Sequence, residues 1–179
     1  MRYNPKIHNR QSTRIKGFDY SSEGYYFITL NTQNREHLFG EIKNKRMYLN
    51  EAGRIAAKCW QEIPNHFPDA KIDEFVIMPD HTHGLIEIVS PDESCPYHTL
   101  LRSKNRALAE FKSPSRTIGS IVRGFKIGVT KWLRNNHPDE FPANRKIWQR
   151  NYHDSLILNS ESLKKVRTYI KYNPRNWKG

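Results

Sequence analysis

The segment at residues 75–88 constrains the fold of this chain more than any other. It consists of two apolar runs that flank a tight turn at Pro79 and Asp80, a pattern that predicts two adjacent antiparallel strands. His81 and His83 follow the turn directly. Because side chains two residues apart on a strand point to the same face, the two imidazoles would lie side by side. Such a pair supplies half of a divalent-metal site, and the alternative is a pair of hydrogen-bonded or solvated histidines at a strand end.

Composition limits the class of protein and its partners. The chain has 179 residues, a length that suits a single domain over residues 1–179 with a substantial core. Its formal charge is +12, its pI is near 9.8 and its mean hydropathy is −0.84. This excess of positive charge favours an anionic partner, most commonly nucleic acid, over a solvated basic surface or a membrane-surface protein.

The cysteines and the N-terminal residues predict the compartment. Cys59 and Cys95 have no paired spacing, which favours a reduced, cytoplasmic setting over a disulfide framework. Residues 1–17 are polar and basic without an apolar centre, unlike a signal peptide. The sequence has no apolar run long enough to cross a bilayer, so we expect no membrane partner.

The remaining patterns predict an α+β domain. Strands are predicted at residues 24–32, 72–78, 82–89 and 154–159, a hairpin at 38–49, and helices at 50–66, 117–136 and 160–173. This order is that of a ferredoxin-like antiparallel sheet with helices on one face, which leaves the other face open for a partner. We expect Asn50 and Ser160 to cap their helices, and Pro174 to end the last one.

Two polar segments have no clear periodicity. Residues 1–20 form a predicted basic arm in which Arg14 and Lys16 are candidate DNA contacts, and a solvated tail is an equal alternative. Residues 90–116 contain three prolines and scattered basic residues, which predicts an insertion over the surface.

Further candidate DNA contacts lie in the second half of the chain. Arg123 and Lys126 fall outside the apolar stripe of the helix at 117–136, so they could line a DNA groove or be solvated. Trp148, Arg150 and Tyr152 belong to a segment where positive charges interleave with aromatic rings, a combination that grips phosphates and stacks on bases. The alternative for Trp148 is burial in the core.

The last predicted helix carries Tyr169 and Asn173, four residues apart and therefore on the same side. A tyrosine hydroxyl is a poor nucleophile at neutral pH because it is protonated. It becomes effective where a metal polarises the phosphate that it attacks. The Asn173 carboxamide oxygen is a plausible third ligand beside two imidazoles, although a tyrosine at a helix edge is more often structural.

Eight segments together carry a family resemblance. They are residues 14–20, 26–35, 38–42, 49–54, 75–84, 121–126, 148–154 and 169–174, and they include Met-Pro-Asp-His-Thr-His-Gly at 78–84 and Tyr-Ile-Lys-Tyr-Asn-Pro at 169–174. In combination they resemble the single-tyrosine HUH transposases of bacterial mobile elements, and most closely the REP-associated tyrosine transposases. The resemblance covers about residues 14–177.

The resemblance implies a chemistry. His81 and His83 would be the HUH pair that binds Mg²⁺ or Mn²⁺, with Asn173 as the third ligand. Tyr169 would attack a phosphodiester in single-stranded DNA, leaving a 5′-phosphotyrosine link and a free 3′-hydroxyl. Another 3′-hydroxyl could reverse the link and transfer the strand without ATP. The DNA partner would be a single strand that carries imperfect hairpins.

The sequence departs from the family pattern in the middle of the histidine motif. Thr82 stands where family members usually have a hydrophobic residue, but its side chain should point away from the metal, so we expect little effect on binding. The segment at 90–116 is also longer than in a minimal relative. Tyr152 and Tyr172 are rival nucleophiles, but a DNA contact suits Tyr152 better and Tyr172 should face solvent.

Two other functions fit the same residues less well. A domesticated nucleic-acid-binding protein of this fold would have no chemical reason to keep His81, His83, Tyr169 and Asn173 together. A replication initiator or relaxase would use the same metal and tyrosine, but such proteins usually carry further domains. The sequence leaves open whether the protein is a monomer or a homodimer. In a dimer, Tyr169 of one subunit would lie beside the histidines of the other.

Overall fold

The structure, a computed structural model, describes residues 22–89 and 117–178. The arm predicted at residues 1–20, with Arg14 and Lys16, and the insertion predicted at 90–116 lie outside the described residues. None of the helices within the described ranges combines the length and apolar character that crossing a membrane requires.

The described residues form an α+β fold. In chain order, its elements are β1 (Gly24–Asn31), β2 (Gly40–Lys43), β3 (Arg46–Leu49), α1 (Glu51–Gln61), α2 (Ile63–His66), β4 (Ala70–Ile77), β5 (His81–Ile88), α3 (Ile118–Asn136), β6 (His153–Ile157) and α4 (Ser160–Asn176). Four strands make one antiparallel sheet in the spatial order β4-β5-β1-β6, while β2 and β3 form a separate hairpin. This is the ferredoxin-like order, so the predicted fold class is confirmed.

The main core lies between one face of the sheet and the helices α1 and α3. Tyr26, Ile28 and Leu30 alternate along β1 and are fully buried, as the two-residue repeat of a strand requires. Trp60 of α1 and Phe125 of α3 meet edge to face, with ring centroids 5.1 Å apart. Large apolar side chains from three elements therefore fill this side of the sheet.

Local sequence signals fix the hairpin and the first helix as predicted. Asn44 and Lys45 both have positive φ, 50° and 61°, which a two-residue hairpin loop of this hand requires. The Asn50 side chain caps α1 by accepting a hydrogen bond of 2.9 Å from the Gly53 amide.

Both predicted ends of the last helix are wrong. Asn159, rather than Ser160, caps α4, because its side-chain oxygen accepts a hydrogen bond of 2.8 Å from the Ser162 amide. The helix also continues through Pro174 to Asn176. Proline lacks an amide hydrogen and so removes one helical hydrogen bond, a loss that α4 tolerates so close to its end.

The second face of the sheet is less open than predicted. Helix α4 packs across β4 and β5 on the side opposite α1 and α3. Leu85 of β5 and Ile170 of α4 are fully buried there, outside the main core cluster. The last helix therefore has its own apolar contact with the sheet, which holds it beside the predicted metal face.

Gly84 marks the closest approach between β5 and the main core. A Cβ atom at Gly84 would lie 1.9 Å from Cζ2 of Trp60. We therefore expect Gly84→Ala to lower the free energy of unfolding by about 1–3 kcal/mol, the usual cost of overpacking. Urea denaturation measures it.

Gly124→Ala is the matched control. The added Cβ would lie 3.4 Å from Phe67 in ordinary contact, and alanine in a helix stabilises by up to about 1 kcal/mol relative to glycine. Equal effects of the two substitutions would contradict the packing of Gly84 on Trp60.

Candidate metal and tyrosine site

The two histidines of β5 lie together on the face of the sheet that α4 covers. Their ring centroids are 4.5 Å apart and the rings are nearly perpendicular, at 73°. Both residues are buried, with 5% of His81 and 6% of His83 exposed. Thr82 and Gly84, the alternate residues, face the main core.

A buried carboxylate holds His81. Oδ1 of Asp80 lies 2.6 Å from Nδ1 of His81, and Oδ2 of Asp80 lies 2.6 Å from Nε of Arg35. The contact occupies Nδ1 and leaves Nε2 as the nitrogen of His81 that remains for a ligand. Sequence reasoning treated Asp80 only as a turn residue and missed Arg35. The sequence signal that could have identified Asp80 as part of the site is its position directly before the histidine pair.

His83 is held by β1 and by the last helix. Its Nδ1 lies 2.9 Å from the Thr29 hydroxyl, and the Phe27 ring stacks on its imidazole with centroids 5.3 Å apart. Burial, together with the nearby His81 and Arg35, lowers the pKa of His83 from 6.5 to about 3. His83 is therefore neutral at pH 7, the form in which an imidazole binds a metal.

Tyr169 lies beside the pair formed by His81 and His83. Its hydroxyl is 3.2 Å from Nε2 of His83, and 47% of the residue is exposed. Two neighbours on α4 anchor it. Arg167 makes a two-pronged ion pair with Asp73 of β4, with N–O distances of 2.9 and 2.5 Å, and Ile170 is buried. The structure therefore places the tyrosine beside the histidine pair of the same chain.

Asn173 lies between two residues that contact the histidines. Tyr169 contacts His83, and Trp177, eight residues later, packs on His81 with ring centroids 5.5 Å apart. Asn173 is four residues from each and is 7% exposed, so it faces the sheet on the same side of the helix. Sequence reasoning did not identify Trp177 as part of this site.

The residues at this site suit a divalent ion only if a ligand of another type completes the histidine pair. In the part of the chain that the structure describes, no three His, Cys, Asp or Glu side chains are grouped so that they could hold a metal. The amide oxygen of Asn173 would fit this need. Asp80 behind His81 and Thr29 behind His83 supply the outer hydrogen bonds that orient metal-binding imidazoles. Two buried imidazoles with these outer hydrogen bonds are therefore a donor pair of the kind that binds a divalent ion.

A basic groove of about 610 Å³ runs beside α3, away from the histidines. Its lining includes Arg123, Lys131, Arg134, Arg150 and Tyr152. Arg123 and Arg150 are exposed, whereas Tyr152 is partly buried and packs against the core. The structure thus brings four of the predicted DNA contacts to one groove: Arg123, Lys126, Arg150 and Tyr152.

Two of the predicted DNA contacts, Lys126 and Trp148, have partners within the protein. Nζ of Lys126 donates a hydrogen bond of 2.8 Å to the Gln149 carbonyl, and burial lowers its pKa to about 8. Trp148 packs against Phe39 and Phe125, with centroid distances of 5.5 and 5.6 Å. The ring therefore has the core position considered as the alternative, and Lys126 ties α3 to the segment before β6.

The rival tyrosine on α4 has a different environment. Tyr172 is 38% exposed, and the Arg175 guanidinium lies over its ring at 5.0 Å. It therefore faces outward as expected, and only Tyr169 of the two contacts a histidine of the pair.

Comparison with known proteins identifies chains of similar fold and sequence. No family model matches the chain. A solved structure of a REP-associated tyrosine transposase bound to a REP hairpin matches it with a TM-score of 0.58 and 17% identity, over 93% of this chain and 74% of that one. A Haemophilus influenzae protein named as a REP-associated tyrosine transposase is 23% identical over 157 residues, 87% of this chain and 73% of that protein.

The fold is that of the REP-associated tyrosine transposases, and the resemblance found in the sequence is confirmed. An uncharacterized Haemophilus influenzae protein is 45% identical over 177 residues, which is 98% of this chain and 94% of that protein. The chain belongs to one family with this protein.

Thr82 has an unpaired polar atom in the core. The residue is fully buried, and its hydroxyl has no hydrogen-bond partner within the described residues. We expect Thr82→Val, which keeps the shape, to raise the free energy of unfolding by about 1 kcal/mol. Thermal and urea denaturation measure the change, and a destabilised variant would show that the hydroxyl is satisfied.

Acid should destabilise the metal-free protein through His83. The unfolded chain takes up a proton near pH 6.5, whereas folded His83 does so only near pH 3, so stability falls as the pH drops through this window. Between about pH 7.5 and 5.5 we expect the wild type to lose about 1.4 kcal/mol more than His83→Gln. Equal losses, measured by urea denaturation with chelator, would show that folded His83 titrates normally.

Proposed function

We propose that this chain is a metal-dependent tyrosine transposase that cleaves and rejoins single-stranded DNA beside hairpins. The observation that carries the proposal is the contact between the Tyr169 hydroxyl and Nε2 of His83, at 3.2 Å. It joins a solvent-accessible nucleophile to a neutral, buried imidazole whose neighbour His81 faces the same way. A merely structural tyrosine at a helix edge has no need of such a pair.

In the proposed reaction the Tyr169 oxygen attacks phosphorus, and the bond from phosphorus to the 3′-oxygen breaks. The 5′-phosphate is then joined to tyrosine, the leaving 3′-oxygen takes a proton, and the tyrosine proton passes to water at the exposed side of the residue. A 3′-hydroxyl from another strand reverses these steps and joins that strand. A divalent ion held by His81, His83 and Asn173 would act as a Lewis acid on the phosphate.

In this proposal the two faces of the sheet have different roles, one in cleavage and the other in binding the hairpin. Cleavage belongs to the face under α4, where the histidines and Tyr169 meet. The groove beside α3 carries exposed arginines, so its charge suits the phosphates of a hairpin stem, and the similar solved structure is bound to a REP hairpin. A non-cleaving binder of the same fold would need this groove but would have no need of the reactive tyrosine.

The nucleophile can be tested with a matched pair of tyrosines on α4. We expect Tyr169→Phe to abolish cleavage of a labelled single-stranded hairpin in Mn²⁺ while its affinity stays within about twofold, because only the attacking oxygen is lost. Tyr172→Phe, which removes an outward-facing hydroxyl, should cleave like wild type. A denaturing gel with 5′- and 3′-labelled oligonucleotides reports cleavage, and a mobility shift reports affinity.

Three outcomes would contradict the proposal. Cleavage by Tyr169→Phe at the wild-type rate would remove the tyrosine from the reaction, and full activity in chelator would remove the metal. Tight binding without a cut or adduct on any hairpin that flanks the gene would favour the non-cleaving binder.

The groove can be tested by salt dependence. Because each phosphate contact releases counterions, we expect Arg123→Ala and Arg150→Ala each to weaken hairpin binding and to reduce the slope of log K against log salt by about 0.9. Lys58→Ala, which removes an exposed lysine of α1 that is paired with Glu62 and is not part of the groove lining, is the control and should leave the slope unchanged. Identical slopes in all variants would place the hairpin elsewhere.

A further inference from the structure

We propose that Asp80, backed by Arg35, is the positioning residue that makes Nε2 the metal-binding nitrogen of His81. The inference rests on the proposed function for the metal itself, and on the geometry of the described residues for the effect on the imidazole. Behind the proposed ligand His81 it places the buried carboxylate of Asp80 and the guanidinium of Arg35, neither of which would contact substrate or metal.

The three side chains form one continuous chain of charge-assisted contacts. Nδ1 of His81 lies 2.6 Å from one oxygen of Asp80, and the other oxygen lies 2.6 Å from Nε of Arg35. Asp80 and His81 are 3% and 5% exposed, so water is kept from the contact between them, whereas the Arg35 side chain is 46% exposed. A contact this short between buried charged or polar groups is stronger than its exposed counterpart.

The backbone around Asp80 is held from a separate part of the chain. The carbonyl of Asp80 accepts hydrogen bonds of 2.9 Å from both the amide and the hydroxyl of Thr32, and the Pro79 carbonyl accepts one of 3.1 Å from the Phe39 amide. Arg35 is the last residue of a short 3-10 helix (Gln33–Arg35) between these donors and has a φ of +58°, a left-handed conformation that costs energy in a non-glycine residue. The fold therefore maintains a strained backbone that brings Arg35 to Asp80.

The two histidines differ in what their Nδ1 atoms meet. The hydroxyl of Thr29 beside His83 can either donate or accept, so it is compatible with both neutral tautomers. An ionised carboxylate only accepts, so Asp80 requires a hydrogen on Nδ1 of His81 and leaves the lone pair on Nε2. In the metal-free protein His81 should therefore be the tautomer with its hydrogen on Nδ1.

The tautomer can be read directly in the metal-free protein. We expect two-bond ¹H–¹⁵N spectra of imidazole-labelled wild type to show His81 protonated on Nδ1 and bare on Nε2, with assignment from His81→Gln. In Asp80→Ala the hydrogen should move to Nε2 in most molecules. Thr29→Val, the matched change at His83, should leave the His81 signals unchanged.

Metal affinity is the second measurement. In calorimetric titrations with Mn²⁺ we expect Asp80→Ala to weaken binding about 10- to 100-fold, the range usual for outer hydrogen-bond partners of metal-binding histidines. Arg35→Gln, which keeps the carboxylate, should weaken binding less. Circular dichroism and thermal melting check the fold, and Asp80→Ser, which keeps a polar group without an obligatory acceptor, replaces Asp80→Ala if that variant does not fold.

The two measurements separate this inference from the proposed function. Wild-type His81 with hydrogen on Nε2 or on both nitrogens, or the same tautomer in wild type and Asp80→Ala, would overturn the positioning role. So would a changed tautomer with unchanged Mn²⁺ affinity. Wild type that binds no Mn²⁺ would overturn the metal step of the proposed function, while the spectra would still decide what Asp80 does to His81.

Discussion

The two-residue repeat of β5 is the constraint on which the rest of the structure depends. It turns Thr82 and Gly84 toward the helices and His81 and His83 toward the other face. Trp60 fills the space above Gly84 so closely that a register slip of one residue would press an imidazole into the core. Packing on one side of the strand thus fixes the position of the candidate metal ligands on the other.

The docking of α4 turns the histidine pair into a candidate reaction site. The ion pair of Arg167 with Asp73 and the burial of Ile170 hold the helix on its own sheet, two residues before and one residue after Tyr169. The same contacts bring Tyr169 to His83 within one chain. The described residues of one chain therefore include both the histidine pair and the tyrosine.

Much of this arrangement was predictable from local patterns. Strand and helix periods gave the ferredoxin-like order, and the His-x-His spacing placed both imidazoles on one face. The contacts that depend on distant residues were not predictable: Arg35 reaches Asp80 across 45 positions through a left-handed backbone. Composition likewise could not separate Arg123, which is exposed in the groove, from Lys126, whose charge is bonded to backbone carbonyls.

The most direct measurement of the central claim is to locate a covalent DNA link on the peptide chain. Trypsin cuts after Arg167, Lys171 and Arg175, so Tyr169 and Tyr172 fall on different peptides, residues 168–171 and 172–175. After reaction with a hairpin oligonucleotide in Mn²⁺ and nuclease trimming, mass spectrometry should find the nucleotide on the peptide at 168–171. A nucleotide on the peptide at 172–175, or on the peptide that contains Tyr152, would contradict the account.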